Sequence, residues 1–517
     1  MRTTKEFLLT NPAEFKLKLL SWSKQFEEVV WLDSNDYPQK YTGFEAVLAV
    51  EAFTSIKTDS FNAFDNLKEY QEITADWIFG YLSYDLKNDV EELSSNNFDG
   101  LQFPELYFFQ PAKMIQIKNG KAVFHYLKMV DEEMEEDFFD ILGIGKESEE
   151  SGERKEESGE SSEVREERRE EREATREERE ESREKREERT PNQKLETSNL
   201  EPETSNLKPG ILNQKPETSN LKPETLNFEP ETSNLKPETL NQKPLPRISK
   251  EDYLKKVKTI LHHIHRGDIY EANFCQEFYA EETEIDALEV FKKLNAISVS
   301  PFAVFLKFDK NYLLSASPER YLRKDGSKIF SQPIKGTARR SEDPLEDKEI
   351  SKVLSNDPKE RSENIMIVDL VRNDLSKVAK RGTVQVEELC EVYSFRQVHQ
   401  LISTVSAELD IGIPPVEVLR ATFPMGSMTG APKISAMKII EEMEETRRGL
   451  YSGAVGYFTP QGNFDFNVVI RSILYNAENK YISFSVGGAI TSGSVPEREY
   501  EECLLKAKAM REVLGDF

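Results

Sequence analysis

The sequence predicts an α+β fold with large antiparallel β-sheets flanked by helices, interrupted by one long disordered insert. Three observations support this class. After about residue 248, strand-like runs such as "PFAVFLKF", "YLLSASPERYL" and "YISFSVGGAIT" alternate with long helical patterns. Several of these runs follow one another without a helix between them, which favours antiparallel pairing. The composition also changes abruptly near residues 146 and 247, where ordinary globular sequence stops and resumes.

The insert has two parts, and neither offers an apolar face that could be buried. Residues 146–190 consist almost entirely of Glu, Arg and Ser, which is typical of an exposed helix with Glu–Arg pairs or of a disordered segment. From residue 195 to about 243 a seven-residue unit repeats, as in "PETSNLKPETLNFE". Nearly every repeat contains proline, which costs about 3 kcal/mol inside a helix, so we expect an extended linker. A binding segment for an unknown partner is the alternative.

We therefore divide the chain into an N-terminal region (residues 1–145), a low-complexity linker (146–247) and a C-terminal domain (248–517). The N-terminal region contains strand-like stretches such as "EEVVWLDS" and "ELYFFQPAKMIQI", but nothing in it is typical of catalysis. The chemistry is therefore expected in the C-terminal domain.

The balance of charge argues against some classes of partner. The 517 residues carry 69 Lys and Arg against 95 Asp and Glu, a net charge of −26, which disfavours nucleic acid or an anionic membrane. An anionic substrate would need local cations or a bound metal. Cys275, Cys390 and Cys503 lie far apart, so we expect neither disulfides nor a thiolate zinc site and infer a cytoplasmic protein. We see no signal peptide and no run of about 18 apolar residues.

Two helix starts place paired glutamates on one face. In "SNDPKERSENIM", Asp357 followed by proline predicts an N-cap, and Glu360 completes a capping box. Glu360 and Glu363 then stand at i and i+3 on the same face. Acidic residues are also favoured in any first helical turn by the helix dipole, so this pair alone indicates little.

A second pair near the C-terminus makes a metal site a stronger hypothesis. In "GSVPEREYEECLL", Ser494 and Glu497 predict another capping box, and Glu499 and Glu502 again stand at i and i+3. Two such helices can converge on one hard cation, because Mg²⁺ takes one or two carboxylates and keeps waters and substrate oxygens as its other ligands. A bound Mg²⁺ would also let this acidic protein hold an anionic substrate.

Glycines and isolated polar residues provide further candidate contacts. The loop "FPMGSMTGAP" and the pair Gly487 and Gly488 allow a ligand to approach the backbone closely. Arg471 lies within "NVVIRSIL", where we predict a strand, and a buried arginine needs an anionic partner from the protein or from a ligand. His399, in "RQVHQLIST", has strand-like surroundings and, taken alone, is more often a core histidine than a catalytic one.

Lys335 occupies an unusual position in "SQPIKGTARR". Pro333 and Gly336 on either side of it predict a tight turn that ends a strand. A lysine in such a turn normally extends into water. Its role depends on what the fold brings near it.

Five motifs in the C-terminal domain occur in a characteristic order: "PIKGT", "ENIMIVDLVRNDL", "GSMTGAPKISAM", "YSGAVGY" and "PEREYEECLLKAKAM". Together they resemble the chorismate-utilising enzymes, strongly over residues 248–517 and more loosely in the N-terminal region through "WLDS" and "GYLSYDLKN". The resemblance implies the fold of anthranilate synthase component I, and the linker lies outside the family pattern.

The resemblance implies a chorismate site built around Mg²⁺. Glu363 and Glu502 match the metal ligands of the family, and Glu360 and Glu499 match direct or water-mediated partners. His399 matches a histidine near the departing hydroxyl. The positions that match substrate contacts are Ser427, Tyr451, Arg471, Gly487, Gly488 and Lys506, among which Tyr451 and Arg471 match those that hold the enolpyruvyl carboxylate.

The resemblance also implies a role for Lys335. Anthranilate synthases typically have alanine here, in "PIAGT", whereas the members that aminate C4 of chorismate have lysine. The implied reaction is attack of the lysine on C2 as the C4 hydroxyl leaves, followed by addition of ammonia at C4 and release of the lysine. An amine nucleophile must be uncharged, so we expect burial and nearby Mg²⁺ to lower its pKa from the usual value of about 10.4.

One position departs from the family pattern. In "GDIYEANFCQEF", Glu271 stands where most aminating members have glutamine. The water-using relatives, isochorismate and salicylate synthases, have their general-base lysine at this position. Glutamate cannot serve as that lysine, which argues against addition of water.

Ammonia determines the expected partner. In the family it comes from a glutamine amidotransferase subunit, and we find no candidate cysteine with its histidine for that chemistry in this chain. A separate lyase would then carry the product toward 4-aminobenzoate and folate. Two alternatives remain open. One is formation of anthranilate, against which Lys335 argues, and the other is a non-catalytic regulator that binds chorismate or a glutaminase.

Overall fold

The structure, a computed structural model, describes residues 1–37, 43–144, 243–395 and 398–515. The predictions of a charged segment at 146–190 and of an extended, repeat-containing linker concern residues outside these ranges, apart from the end of the linker. Across the described part of the chain, no helix combines the length and the apolar character that a membrane crossing requires.

Helices and strands are numbered in chain order. The helices in the described residues are α1 (Pro12–Trp22), α2 (Ala63–Thr74), α3 (Lys87–Val90), α4 (Met134–Leu142), α5 (Lys250–Arg266), α6 (Ala287–Ser298), α7 (Pro344–Asn356), α8 (Pro358–Ser376), α9 (Pro415–Thr422), α10 (Lys433–Met443) and α11 (Pro496–Val513). The strands are β1 (Arg2–Leu8), β2 (Glu28–Asp33), β3 (Ala46–Thr58), β4 (Ile78–Leu82), β5 (Leu106–Lys118), β6 (Lys121–Leu127), β7 (Leu245–Pro246), β8 (Glu271–Ala280), β9 (Phe302–Phe308), β10 (Asn311–Ser317), β11 (Arg320–Asp325), β12 (Lys328–Gln332), β13 (Ile334–Arg339), β14 (Gln385–Ser394), β15 (Val398–Glu408), β16 (Gly430–Ala431), β17 (Ala454–Phe458), β18 (Phe464–Val468), β19 (Ser472–Asn476) and β20 (Tyr481–Ile490).

The strands form one continuous sheet that divides into two branches at β5. β3 pairs with one edge of β5, whereas β4 and β6 pair with the two halves of its other edge. The first branch runs from β3 through β2, β9, β10, β19 and β20 to β8. The second runs from β4 through β17, β18, β11 and β12 to β15, which also pairs with β13 and β14. All these ladders are antiparallel, which confirms the predicted fold class.

Alternating side chains place apolar cores on both faces of the first branch. Val30 in β2 and Leu306 in β9 belong to one core, which also contains side chains from the second branch. Trp31 and Phe305, each one residue away, belong to the other core, which includes side chains of α1, α5, α6 and α11. Because both faces are buried, these strands have nearly continuous apolar sequences.

Residues on the two sides of the insert form one compact unit. In the sheet, β2 of the N-terminal region pairs with β9, and β4 pairs with β17. β7, whose residues lie at the end of the predicted linker, pairs with β8. Arg247 follows at once and forms an ion pair with Glu277 at 3.0 Å. The last residues of the predicted linker therefore belong to the sheet.

The start of α8 follows the prediction in part. The Asp357 side chain accepts hydrogen bonds from the backbone N–H groups of Lys359 (2.8 Å) and Glu360 (3.0 Å). The backbone N–H of Asp357 donates to Leu354 O, so the reciprocal bond of a capping box, to the Glu360 side chain, is replaced by a backbone bond. Asp357 is the predicted N-cap, and the glutamates follow it on the first turns.

The predicted capping box of α11 is wrong. The helix begins at Pro496 with Val495 as its N-cap, and the Ser494 hydroxyl accepts a backbone N–H from the preceding loop. Proline fits the first helical position because it lacks the N–H that would otherwise need an acceptor. Glu499 and Glu502 nevertheless lie in the first two turns, three residues apart on one face.

One loop of the C-terminal domain is held by the N-terminal region. The backbone N–H of Gly449 donates to Asp85 Oδ2 (2.8 Å), and the Gly449 carbonyl accepts from the Tyr84 N–H (2.7 Å). The guanidinium of Arg448 lies over the Tyr84 ring at 4.5 Å. These contacts fix the chain just before Tyr451, which is buried.

Candidate active site

The amino-terminal ends of α8 and α11 lie side by side, as the paired glutamates predict. Lys359 lies between them, because its Nζ is 3.7 Å from Glu363 Oε1 on its own helix and 3.8 Å from Glu499 Oε1 on the other. Both carboxylates are buried. The glutamates of the two helices therefore form one acidic cluster.

Gly488 in β20 lies directly beside the acidic cluster. A Cβ atom there would stand 3.6 Å from Glu499 Oε2, 3.6 Å from Lys506 Nζ and 3.8 Å from Glu502 Oε1. Lys506 connects the cluster to the strand, because its Nζ lies 2.7 Å from Glu502 Oε1 and donates to Gly487 O at 2.8 Å. A side chain at Gly488 would occupy the space toward which these groups point.

Burial makes this concentration of carboxylates costly without further positive charge. It raises the pKa of Glu363 to about 7 and also raises the pKa of Glu360 and of Glu499. At Glu502 partial desolvation acts in the same direction, but the side chain is 47% exposed and the ammonium groups of Lys506, Lys359 and Lys335 together lower its pKa.

The donors in the acidic cluster fit a divalent cation. Glu363 Oε1 is buried and has no hydrogen-bond partner, so it is available as a ligand. Among the described residues, three acidic side chains with oxygens within 4.8 Å of one another occur at Glu27, Glu28 and Asp309, and not in this cluster. Binding of a cation would therefore require the predicted ligands to approach one another.

Lys335 lies in β13, one residue before a bulge at Gly336. The prediction of a turn is wrong, because Pro333 separates two strands, β12 and β13, that both pair with β15. A Cβ atom at Gly336 would lie 3.2 Å from Glu360 Oε2, so this strand passes close to the start of α8. Lys335 is therefore placed beside the acidic cluster.

The Lys335 side chain is only 14% exposed, and its Nζ lies 3.3 Å from Glu271 Oε1 at the start of β8. Burial opposes its charge, but the carboxylates of Glu271, Glu363 and Glu319 outweigh burial and raise the pKa of Lys335. The protein side chains alone therefore do not produce the lowered pKa that the sequence led us to expect. A base has to remove a proton before this amine can act as a nucleophile.

Sequence reasoning missed Glu319, which lies between β10 and β11. It is 4% exposed, and burial raises its pKa to about 7 against the opposing effects of a hydrogen bond from Ser427 and the charge of Lys335. Such a carboxyl group can donate a proton near neutral pH. The available signal was "YLLSASPERYL", where a glutamate interrupts two apolar strand runs.

Arg471 provides a cation without a carboxylate partner. It lies between β18 and β19 at φ 52°, so the prediction of one continuous strand through "NVVIRSIL" is wrong. Burial lowers its pKa, although Tyr451 and Glu502 are close enough to act in the opposite direction. No side chain in the described ranges forms an ion pair with this guanidinium. It is therefore suited to bind an anionic group of a ligand.

Strand β8 anchors three further predicted contacts. Gly487 pairs with Cys275 of β8, and a Cβ atom at Gly487 would lie 2.2 Å from a carbonyl oxygen of that strand. The Tyr451 hydroxyl lies 3.5 Å from Cys275 Sγ. Asn273 donates through Nδ2 to Ser427 O at 3.0 Å. The glycine, the tyrosine and the serine therefore all contact one strand.

His399 lies in β15, as predicted, where it pairs with Ala338 of β13, three residues after Lys335. Its Nδ1 is 2.9 Å from Ser394 Oγ and its Nε2 is 2.9 Å from Asp347 Oδ1, so protein groups engage both ring nitrogens. It lines a separate cavity of about 360 Å³ together with Arg340 and the exposed face of α7. Within the described residues it forms no hydrogen bond with Lys335 or with the acidic cluster.

Solved structures share this fold. The menaquinone-specific isochorismate synthase of Escherichia coli superposes with a TM-score of 0.65 over 99% of this chain and 94% of that one, at 15% sequence identity. Anthranilate synthase component I of Streptococcus pneumoniae TIGR4 superposes with a TM-score of 0.63 over 92% of this chain and 93% of that one, at 22% identity. The fold is therefore that of the anthranilate and isochorismate synthases.

The chain belongs to the chorismate binding enzyme family, whose sequence profile matches residues 27–512. Aminodeoxychorismate synthase component 1 of Escherichia coli (strain K12) is 42% identical over 255 residues, or 49% of this chain and 56% of the relative. Anthranilate synthase component 1 of Aquifex aeolicus (strain VF5) is 38% identical over 266 residues, or 52% of this chain and 53% of the relative. The chain thus spans about half the length of the curated relatives it matches. The family resemblance stated from the motifs is confirmed.

Proposed function

We propose that the chain is the chorismate-aminating component of an aminodeoxychorismate synthase, which converts chorismate and ammonia to 4-amino-4-deoxychorismate. The observation that carries the proposal is the position of Lys335, buried beside the acidic cluster with Glu271 and Glu319 around it. Membership of the family supports chorismate as the substrate. Similarity to aminodeoxychorismate synthase component 1 supports amination at C4.

The acidic cluster would hold Mg²⁺ through Glu363 and Glu502, with Glu360 and Glu499 as direct or water-mediated partners. When bound, the metal supplies the positive charge that balances these carboxylates and attracts the ring carboxylate of chorismate. Glu363 Oε1, which accepts no hydrogen bond, and the raised pKa of Glu363 support this assignment.

The second carboxylate of chorismate, on the enolpyruvyl group, would bind Arg471. This guanidinium is partly buried and lacks a carboxylate partner among the described residues, which is the state that an anionic ligand would complete. Tyr451, on the loop fixed by the N-terminal region, lies near it. Gly488 leaves room for the ring to approach the backbone of β20, whereas Gly487 packs directly against β8.

The reaction proposed for these groups has two displacement steps. Uncharged Lys335 forms a bond to C2, both ring double bonds shift, and the C4–O bond breaks. Glu319, protonated near neutral pH, gives its proton so that the hydroxyl leaves as water. Ammonia then forms a bond to C4, the double bonds shift back, and Lys335 leaves as a neutral amine. The new C4 ammonium group returns one proton to Glu319.

The source of ammonia and the cellular setting are part of the same proposal. A glutamine amidotransferase subunit would supply ammonia, and a lyase would take the product to 4-aminobenzoate for folate synthesis. "Component 1" in the name of the curated relative supports a partner subunit. We propose a cytoplasmic location for the whole system.

Product analysis tests the proposed function. The purified chain, given chorismate, Mg²⁺ and an ammonium salt, should yield 4-amino-4-deoxychorismate, identified by mass spectrometry. Anthranilate as the main product would instead support the alternative enzyme. Binding of chorismate without any turnover would contradict the proposal and support a regulator.

A further inference from the structure

Three acidic groups surround the proposed nucleophile, and one of them touches it. Glu271 Oε1 lies 3.3 Å from Lys335 Nζ, whereas Glu319 and Glu363 act on the ammonium group through their charge. The bond to Glu271 is the one hydrogen bond that Lys335 Nζ donates within the described part of the chain. A proton that leaves this amine therefore has a direct path to Glu271.

The surroundings of Glu271 are those of a reactive carboxylate more than of a structural one. It is 1% exposed, and its Oε2 is buried without a hydrogen-bond partner. Glu277, six residues further along β8, is also buried, but its carboxylate accepts hydrogen bonds from Arg247 and from the Tyr481 hydroxyl. Leaving a buried carboxylate oxygen unpaired is unfavourable, and a purely structural ion pair would be expected to satisfy it.

The backbone around Glu271 holds its side chain in a fixed place. Glu271 pairs with Ala431 in the short ladder between β8 and β16. A Cβ atom at Gly430 would lie 2.1 Å from Glu271 O, so the two chains are in close contact. The Tyr270 N–H donates to Ala431 O at 2.6 Å. The carboxylate therefore extends from a rigid strand end toward Lys335.

We propose, on the basis of the proposed function, that Glu271 is the general base that takes a proton from the Lys335 ammonium group and so produces the neutral nucleophile. The N–H bond breaks, the proton forms an O–H bond with Glu271 Oε1, and the electron pair left on nitrogen forms the bond to C2. When Lys335 later leaves the ring as a neutral amine, the proton returns to it from Glu271. No external acid or base is consumed.

A buried site favours this transfer. Two opposite charges taken out of water carry a large desolvation cost, whereas a neutral amine and a neutral carboxylic acid carry little. Glu271 is already shielded from water, and entry of chorismate would cover the 14% of the Lys335 side chain that is still exposed, so the neutral pair becomes more favourable when the substrate is bound. The charge of Glu271 thus holds the lysine in place before binding and accepts its proton afterwards.

Glu271→Gln tests the inference, because the amide keeps the size of the side chain and an oxygen acceptor for Lys335 but cannot take its proton. Most aminating members of the family have glutamine at this position, so the inference is that this chain, unlike them, depends on a carboxylate here. We would measure kcat for amination between about pH 7 and pH 9.5 at saturating chorismate, Mg²⁺ and free ammonia. At pH 7 the kcat of this variant should be at least about 10-fold below wild type, since general bases commonly contribute about 10²-fold or more. The difference should narrow as pH rises, because hydroxide replaces the missing base. The KM for chorismate should stay within about twofold.

Other titrating groups are common to both proteins. Besides Glu271, the acidic groups whose charge raises the pKa of Lys335 in the described residues are Glu319 and Glu363. The charge of Lys335 in turn lowers the pKa of Glu502. Because these are unchanged in Glu271→Gln, the difference between the two pH profiles reports on Glu271. Glu271→Asp retains a carboxylate and should recover part of the activity at pH 7 with a pH profile like that of wild type.

Glu277→Gln is the matched control, since it also neutralises a buried, ion-paired glutamate of β8. Its kcat relative to wild type should not depend on pH. Equal kcat for Glu271→Gln and wild type at pH 7, or an equal loss of kcat at every pH, would overturn the inference. The proposed function would still stand in that case, provided that the wild-type chain aminates chorismate. Failure of the wild-type chain to aminate chorismate would overturn both. Thermal unfolding verifies each fold.

Discussion

At the residue scale, glutamates in this site have different chemical roles because their surroundings differ. Burial raises the pKa of Glu319 to about 7, whereas at the more exposed Glu502 the nearby lysines, Lys506 above all, keep the pKa below its usual value. One glutamate is thereby suited to donate a proton and the other to remain an anionic ligand. At Glu502 part of the cause is local, because Lys506 stands four residues further along the same helix, whereas the burial of Glu319 depends on the fold around it.

Glu319 should make the folded state less stable as the pH rises. Its pKa is about 7 in the fold against 4.5 in the unfolded chain, so its stabilising contribution is complete below about pH 4.5 and is lost as pH rises through 7. Relative to Glu319→Gln, the free energy of unfolding of wild type should fall by on the order of 3 kcal/mol between about pH 5 and pH 8. Urea denaturation at both pH values measures it. A wild-type-to-variant difference independent of pH would contradict the raised pKa.

Lys335→Ala should still bind chorismate, because the acidic cluster and Arg471 supply most of the anchoring, but kcat should fall by about 10²-fold or more. Wild type given chorismate without ammonia should form an adduct heavier than the chain by chorismate minus one water. Intact-protein mass spectrometry after an acid quench detects it, and peptide mapping should place it on Lys335. Lys328→Ala, at an exposed position of the adjacent β12, should behave as wild type. Unchanged turnover in Lys335→Ala together with no adduct in wild type would rule out the nucleophile.

At the scale of single elements, two helix ends create the acidic cluster. The i and i+3 spacing in α8 and in α11 was visible in the sequence, because helical periodicity is a local property. The cap of α11 and the strand around Lys335 were not. "QPIKG" has the composition of a turn, and only its pairing with β15, more than 60 positions away, makes it a strand. Glu271 comes from the start of β8 and Glu319 from the connection between β10 and β11, so no local pattern places them beside Lys335.

Glu363→Ala and Glu502→Ala should each abolish turnover with either glutamine, in the presence of its amidotransferase, or ammonia as the nitrogen source. Each removes a carboxylate proposed to hold Mg²⁺, and the loss should be about 10²-fold or more. Titration with Mg²⁺ should show weakened dependence on the metal, while thermal unfolding verifies the fold. Glu501→Ala, an exposed neighbour on α11, serves as the control and should match wild type. Wild-type activity of both variants at limiting Mg²⁺ would contradict the assignment.

At the scale of the whole molecule, the sequence predicted the α+β class but not how the sheet is assembled. Adjacent strand runs predicted antiparallel hairpins such as β9–β10 and β17–β18. The division of the sheet at β5 and the pairing of β4 with β17 join segments from opposite sides of the insert. Such contacts depend on which surfaces fit together after folding, and hydrophobic periodicity does not contain that information.

Removal of residues 150–240, with a short Gly/Ser connection in their place, should leave ammonia-dependent amination within about twofold of wild type. The removed sequence has no apolar face to contribute to a core, and the cut leaves β7 and Arg247 in place. Steady-state kinetics and thermal unfolding of both proteins test this. An insoluble or inactive shortened chain, beside an active parent, would show that the insert has a structural role.

The hydrogen bonds that join Tyr84 and Asp85 to Gly449 limit which substitutions the chain can accept during evolution. The loop that carries Tyr451 is shaped by a segment encoded some 360 positions earlier, on the far side of the insert. A substitution at either end has to be compatible with the other. The regions before and after the insert therefore have to evolve together, although the insert separates them in the sequence. A recombinant that took its N-terminal half from another member would receive an anchor made for a different loop.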